Sequence, residues 1–287
     1  MAGMATIARP TTTAALDLGT LEYRFDRRGG STVVMFHGGH MHAGLALGEE
    51  TFVDAGYSVL VPSRPGYGRT PLSTGTTTSG FADVVRSLCD HLGITRVAAV
   101  VGISAGGRTA VATAARHPDF VERVILQSAV GPLPWPDKRT RLAARLAFGP
   151  ATERLTWSAV RAIMRTAPDI GLRMLFGDLT ALPARQVMTA LSADERTMLI
   201  ELFSRMRSGH GFRNDLAADR EGVDDVTQPT LVIAGRNDGS VPFAHAERLA
   251  STIKYGCLIE SNADSHFIWL GHDWPAISDK ICDFLAA

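Results

Sequence analysis

Apolar runs of strand length recur along the first half of the chain and alternate with segments of helical spacing. Four such runs are typical of parallel strands covered on both faces. They are residues 32–36 (TVVMF), 57–62 (YSVLVP), 97–103 (VAAVVGI) and 121–128 (VERVILQS). Before the third run, residues 81–92 have apolar side chains three or four positions apart and end at Gly93, which predicts a helix with a glycine cap.

The first residues follow a different pattern. Apolar and polar positions alternate over residues 14–27, which predicts a two-stranded hairpin bent at Gly19 and Thr20, on an edge of the sheet. A helix is predicted over residues 45–55. Residues 1 to about 12 contain Pro10 and a threonine run, and we expect them to form a frayed tail.

The alternation disappears between residues 132 and 225. This segment has helical spacing throughout, and its glycine and proline breaks predict four to six helices and no strand. The strand pattern resumes at residues 229–235, followed by a helix, a short strand and a terminal helix. The sequence therefore predicts an α/β fold, a mostly parallel sheet flanked by helices. Residues 1–131 and 226–287 would form its core, and residues 132–225 an all-helical cap inserted in that core.

Composition narrows the possible partners. The chain has 287 residues, of which 45% are hydrophobic, and 29 basic residues balance 29 acidic ones. A neutral chain has no overall field that favours nucleic acid or an anionic membrane, so we expect a small-molecule partner. Three widely spaced cysteines and the lack of a signal-like or membrane-spanning run favour a soluble cytoplasmic protein. A homo-oligomer is possible.

Ser104 lies in the motif with the most chemical meaning. It stands between Gly102 and Gly106, directly after the third apolar run and before a segment of helical composition. A nucleophilic serine must project from a sharp turn between strand and helix, and small residues two positions away let the backbones pass closely. A Gly-x-Ser-x-Gly motif alone is weak evidence, because glycine and serine are common in loops.

The Gly-x-Ser-x-Gly motif and four other motifs follow one another in an order that resembles the α/β-hydrolase superfamily. The resemblance is to the serine-nucleophile branch with a helical cap inserted after the sixth strand. The matching motifs are residues 37–39 (HGG), 64–68 (RPGYG), 102–106 (GISAG), 235–242 (GRNDGSVP) and 265–266 (SH). The resemblance covers nearly the whole chain. It implies a catalytic triad in the chain order nucleophile, acid, histidine.

The resemblance assigns these roles to Ser104, Asp238 and His266. It also implies an oxyanion hole formed by the backbone N–H groups of Gly39 and Ala105. His272 is the nearest competitor of the proposed histidine. Asp264 is too close in sequence to orient the His266 ring easily.

Other residues are candidates for the substrate pocket. His40 follows residues 37–39, the predicted oxyanion loop, which contains Gly39. Leu133, Trp135 and Phe176 belong to the cap segment. Three histidines at positions 37, 40 and 42 suggest metal binding, but a glycine-rich strand end gives no rigid face for ligands, so we expect no metal.

The sequence thus predicts a cofactor-independent serine hydrolase. Its expected substrate is a carboxylic ester or lactone with a sizeable hydrophobic body, cleaved through an acyl-enzyme. Carbon–carbon bond hydrolysis and cofactor-free perhydrolysis on the same triad remain alternatives, because fold and triad do not separate them. A ligand receptor without turnover is a further alternative. The serine excludes relatives that use an aspartate nucleophile.

Overall fold

The structure, a computed structural model, describes residues 7–217 and 222–287. These residues form one mostly parallel sheet of eight strands. The strands are β1 (Thr12–Leu16), β2 (Gly19–Asp26), β3 (Thr32–Phe36), β4 (Ser58–Pro62), β5 (Ala99–Ile103), β6 (Val124–Gln127), β7 (Thr230–Gly235) and β8 (Gly256–Ser261). Their order across the sheet is β1-β2-β4-β3-β5-β6-β7-β8. The predicted fold class is confirmed.

The first two strands are the antiparallel edge of this sheet. β1 pairs with β2, and β2 pairs antiparallel with β4, whereas all later neighbours are parallel. The predicted hairpin is present, but its bend is at Asp17 and Leu18, and Gly19 already belongs to β2. The expected frayed tail is wrong for residues 7–12, because Ile7 is buried and Ala8 forms a bridge with Leu45. Residues 1–6 of the predicted tail lie outside the described residues.

Eleven α-helices complete the described part of the chain. They are α1 (Glu50–Asp54), α2 (Thr78–His91), α3 (Gly106–Arg116), α4 (Lys138–Ala147), α5 (Glu153–Thr166), α6 (Pro168–Gly177), α7 (Ala184–Ala190), α8 (Ala193–Arg205), α9 (Gly211–Ala217), α10 (Ala244–Thr252) and α11 (Trp274–Ala286). The helix predicted over residues 45–55 is limited to the five residues of α1. None of the described helices is long and apolar enough to cross a lipid bilayer.

The apolar side chains of the central strands alternate between two cores. Val34 and Phe36 face one core, with α2, α3 and α10, whereas Val33 and Met35 face the other, with α11. Because both faces are covered, these strands are continuous apolar runs in the sequence. The cores fix the carboxyl ends of β3, β5 and β7, where the candidate site residues follow.

Six of the helices, α4 to α9, lie between β6 and β7, in the segment predicted to be a cap. Helices α5 to α8 contribute to a third apolar cluster that includes Trp157, Leu172, Phe176 and Phe203. This cluster also contains Phe267, a neighbour of the predicted catalytic histidine. The cap boundaries at residues 132 and 225 stay a prediction, and residues 218–221 within them lie outside the described residues.

A buried carboxylate ties the edge hairpin to the loop after β4. Glu22 is 4% exposed and accepts hydrogen bonds from the Ser63 hydroxyl and from both the backbone and the side chain of Arg69. Burial alone would raise the Glu22 pKa, but these bonds and one from Thr11 lower it below 4.5. The ionised form is therefore the one that the fold stabilises.

This shift gives a pH-dependent stability. A lowered folded-state pKa contributes stability above the unfolded pKa, and that stability is lost as the pH falls through the folded value. We therefore expect Glu22→Gln to be less stable than the parent protein at neutral pH, with a difference that shrinks below about pH 4.5. Urea unfolding at several pH values measures this. Asp17→Asn, at an exposed turn, is the control, and a pH-independent difference would contradict the interpretation.

Candidate active site

Ser104 occupies a strained turn between β5 and α3. Its φ angle is +50°, which is uncommon for a residue other than glycine. A Cβ atom at Gly102 would lie 2.6 Å from the Gly107 Cα, and one at Gly106 would lie 2.1 Å from the Phe36 carbonyl oxygen. Both flanking glycines are therefore required by close backbone contacts. This strain is of the kind found at functional sites.

Strand β6 and the segment directly after it hold the Ser104 backbone in place. Its N–H donates to the Gln127 carbonyl at 3.1 Å, and its carbonyl accepts from the Val130 N–H at 2.9 Å. Among the described residues, the Ser104 hydroxyl has no hydrogen-bond partner, His266 included. Contacts between nucleophile and base are often long without substrate and tighten in the complex.

Asp238 and His266 are joined by a direct hydrogen bond. The Asp238 Oδ2 atom lies 2.7 Å from the His266 Nδ1 atom, and both side chains are almost completely buried. The other carboxylate oxygen, Oδ1, accepts from the N–H groups of Ser240 and Val241 at 2.8 Å each. These two bonds orient the carboxylate, so that Nδ1 carries the shared proton and Nε2 is left as a base.

The segment after α6 connects the loops of both residues. The Leu179 carbonyl accepts hydrogen bonds from the His266 N–H at 2.7 Å and from the Gly239 N–H at 3.3 Å. Thr180 forms a bridge with Asp238, and its hydroxyl donates to the Asp264 carbonyl. Sequence reasoning missed this segment, because nothing in its composition marks backbone groups that pair with distant loops.

The two predicted oxyanion donors are backbone N–H groups next to Ser104. Ala105 follows it directly and caps α3, whose N-terminal end favours negative charge. Gly39 belongs to the loop after β3, and a Cβ at the preceding Gly38 would lie 2.9 Å from the Ser104 Cβ. Within the described residues, neither the Gly39 nor the Ala105 N–H donates to another group. Both are available to a substrate oxygen.

Arg64 is hydrogen-bonded to residues 37–39, the predicted oxyanion loop. Its Nε donates to the His37 carbonyl at 2.8 Å and its Nη2 to the Gly38 carbonyl at 3.1 Å. The same guanidinium forms a two-pronged ion pair with Asp215 of α9, which also accepts from the Tyr67 hydroxyl at 2.5 Å. Burial, together with the Asp215 charge, raises the Tyr67 pKa well above its ordinary value, so the phenol stays protonated.

The candidate pocket residues have different surroundings. The Trp135 Nε1 donates to the Ser240 carbonyl at 2.8 Å, and its ring shares an apolar cluster with Ala105 and Phe212. Leu133 is half-buried. Phe176 is completely buried and meets Phe203 and Phe267 edge-on.

Buried in this way, the Phe176 ring has no surface to offer a substrate. It supports the packing next to His266 instead of lining a pocket, which corrects the expectation from sequence. His40, the remaining candidate, lies among three aromatic rings beside the oxyanion loop.

Comparison with known protein families identifies the fold. Residues 31–273 match the model of the alpha/beta hydrolase fold. The chain belongs to the α/β-hydrolase family. It is 30% identical over 282 residues to the "Uncharacterized hydrolase YcgS" of Bacillus subtilis (strain 168), a match that covers 96% of this chain and 99% of that one. The chain is thus a hydrolase of this fold.

Two further relatives have named activities. One is a "2-hydroxy-6-oxononadienedioate/2-hydroxy-6-oxononatrienedioate hydrolase" of Pseudomonas sp, 31% identical, with 75% of this chain and 74% of that one covered. The other is a "Pimeloyl-[acyl-carrier protein] methyl ester esterase" of Aromatoleum aromaticum, 29% identical, with 84% and 92% covered. Among solved structures, an "Alpha/beta hydrolase fold protein from Nakamurella multipartita" has a TM-score of 0.80 at 24% identity and covers 96% of this chain and 99% of that one.

The buried ion pair gives a first prediction for this site. Arg64→Met leaves the Asp215 carboxylate buried without its cation, and we expect a loss of about 3–5 kcal/mol in unfolding free energy. Arg64→Lys keeps the charge but loses the fork, so its loss should be smaller. Urea unfolding measures both. Arg236→Ala, whose pair with Glu260 lies on the surface, is the control and should change little. Equal effects of Arg64→Met and Arg236→Ala would contradict the assignment.

The contact between Gly239 and Thr180 gives a second prediction. A Cβ at Gly239 would lie 2.6–2.8 Å from three backbone atoms of Thr180. Gly239→Ala should therefore push the two segments apart and cost about 1–3 kcal/mol of unfolding free energy. Gly177→Ala is the matched control, since a Cβ atom at Gly177 would have no neighbour within 4 Å. If both variants unfold at the same urea concentration, the contact is not tight.

Proposed function

We propose that this chain is a serine hydrolase that cleaves a carboxylic ester or lactone with a sizeable hydrophobic body. The observation on which the proposal rests is the buried hydrogen bond between Asp238 and His266. A buried carboxylate that fixes one imidazole nitrogen leaves the other as a base for a nucleophile. Ser104, on its strained turn with a free hydroxyl, is the nucleophile in this proposal.

The mechanism follows from these roles. His266 Nε2 accepts the Ser104 proton as Oγ attacks the substrate carbonyl, and the oxyanion forms against the N–H groups of Gly39 and Ala105. Breakdown of this tetrahedral intermediate expels the alkoxide, which takes the proton from His266 and leaves an acyl-enzyme. Water then attacks the acyl carbon and gives its proton to His266, and the second intermediate releases the acid and restores Ser104.

The surroundings of the oxyanion donors support an apolar substrate. Ala105 belongs to a cluster with Tyr67, Trp135, Phe212 and Val241, and the Phe212 ring would lie 3.0 Å from a Cβ at Gly39. An apolar body next to the reacting carbonyl would bury its surface against the Trp135 and Phe212 rings, which keep exposed fractions of 6% and 8%. The esterase name of one relative is consistent with this reaction class.

Carbon–carbon bond hydrolysis is the second candidate. The 31% identical relative carries the name of a hydrolase for an oxo-dienedioate or trienedioate. A carbon–carbon hydrolase must expel a carbon leaving group, which needs a proton at that carbon. The two reactions are therefore separated by substrate and not by the triad.

The test compares the parent protein with Ser104→Ala on a panel of p-nitrophenyl esters, lactones and a ring-cleavage diketone. We expect ester or lactone turnover by the parent protein, lost in the variant by at least about 10³-fold, since the nucleophile is absent. A fluorophosphonate probe should label the parent protein once, at Ser104. Ser251→Ala, at an exposed helix position, is the control for both measurements.

Several results would contradict the proposal. Undiminished turnover by Ser104→Ala, with an unchanged urea midpoint, would exclude the mechanism. Turnover of the diketone without that of any ester would favour the second candidate. Labelling of another residue would move the nucleophile elsewhere.

A further inference from the structure

His40 has an unusual conformation next to the oxyanion loop. Its φ angle is +65°, in the left-handed region, and it directly follows Gly39. Its carbonyl accepts from the Arg207 N–H at 3.0 Å, so both ends of the residue are tied, one to the loop and one to the segment before α9. A strained backbone conformation persists only where the surrounding structure fixes it, so the position of His40 is well defined.

The hydrogen bonds of Ser208 decide which His40 nitrogen carries the proton. The completely buried Ser208 hydroxyl lies 2.7 Å from the His40 Nδ1 and accepts from the Trp157 Nε1 at 2.8 Å. An indole N–H only donates, and a hydroxyl has one proton, so the Ser208 proton is satisfied only by donation to Nδ1. Nδ1 is then the acceptor, and the proton of the neutral ring sits on Nε2.

The environment keeps this ring neutral. Phe148, Trp157 and Phe212 surround it, with ring centroids 4.7, 5.2 and 4.1 Å away. Burial lowers the His40 pKa to about 4, which leaves the imidazole uncharged at neutral pH. Among the described residues, the Nε2–H has no hydrogen-bond partner. A single, fixed, uncharged donor is thus left in an aromatic setting.

Resting on the proposed function, we propose that the His40 Nε2–H binds an uncharged oxygen of the substrate, such as a ketone or ether oxygen near the scissile carbonyl. A carboxylate would lose its hydration here and meet no charge in return from His40, so a neutral acceptor fits this donor better. His40 lies beside the oxyanion loop, and its neighbour Phe212 covers Gly39. The His40 Nε2–H would therefore contact the acyl group of the substrate, close to the reacting carbon.

The test uses p-nitrophenyl heptanoate and its keto analogues, in which a ketone is moved along the acyl chain. The readout is the ratio of kcat/KM for the best keto ester to that for the plain ester. We expect the parent protein to favour the keto ester about tenfold, and His40→Phe to bring the ratio close to one. His272→Phe, which replaces an exposed histidine, should keep the parent ratio.

A purely structural role for His40 would give a different result. It would lower kcat/KM for both esters and leave their ratio unchanged, which would overturn the inference. Ser208→Ala gives a second reading, because it removes the donor to Nδ1 and so frees the proton to move to that nitrogen. A partial loss of the ratio in Ser208→Ala is expected, and an unchanged ratio would contradict the tautomer assignment.

Binding measurements separate this inference from the proposed function. Calorimetry with Ser104→Ala measures the affinity for both esters without turnover. Tighter binding of the keto ester, lost in the double variant with His40→Phe, supports the role of His40 even where the parent protein hydrolyses neither ester. Equal affinities would overturn it, whatever the outcome of the turnover assays.

Discussion

The buried ion pair of Arg64 and Asp215 is the constraint on which the site's arrangement depends. Two charges held away from water need partners with good geometry. Arg64 donates to two carbonyls of the predicted oxyanion loop and to both carboxylate oxygens of Asp215, and the Tyr67 hydroxyl donates to the same carboxylate. Three separate segments meet at one guanidinium. The loop that presents the Gly39 N–H is therefore fixed by α9 as well as by the sheet.

A second connection joins the loops of the predicted acid and histidine. The backbone of Leu179 and Thr180 pairs with the loops of Asp238 and His266. The sheet supplies the strand ends from which the site residues project, but the helical segment between β6 and β7 sets how the loops lie against one another. Substitutions inside that segment should therefore change the geometry of the candidate site, although none of them alters a side chain of the predicted triad.

The features of the candidate site that the sequence predicts are local ones. The apolar run of β5, the two glycines around Ser104 and the sequence order of Asp238 and His266 are all visible within short stretches, because strand burial and tight turns leave direct marks on composition. The missed features join distant positions: Arg64 and Asp215 are 151 residues apart, and His40 and Ser208 are 168 apart. Phe176 was assigned wrongly for a different reason, since apolar character does not say whether a side chain faces a pocket or neighbouring core residues.

The same long separations bear on how the protein acquires its activity during folding. Contacts that close loops of 151 and 168 residues cost more entropy than local contacts, and we expect them to form later than the helices and the neighbouring strands. The Asp215 partner of Arg64 and the Ser208 partner of His40 are reached by contacts of this kind, whereas the bonds from Arg64 to the His37 and Gly38 carbonyls span only 27 and 26 residues. A refolding chain should therefore regain its helical signal and much of its sheet before the oxyanion loop and His40 are in place, so that catalytic competence is the last property to return.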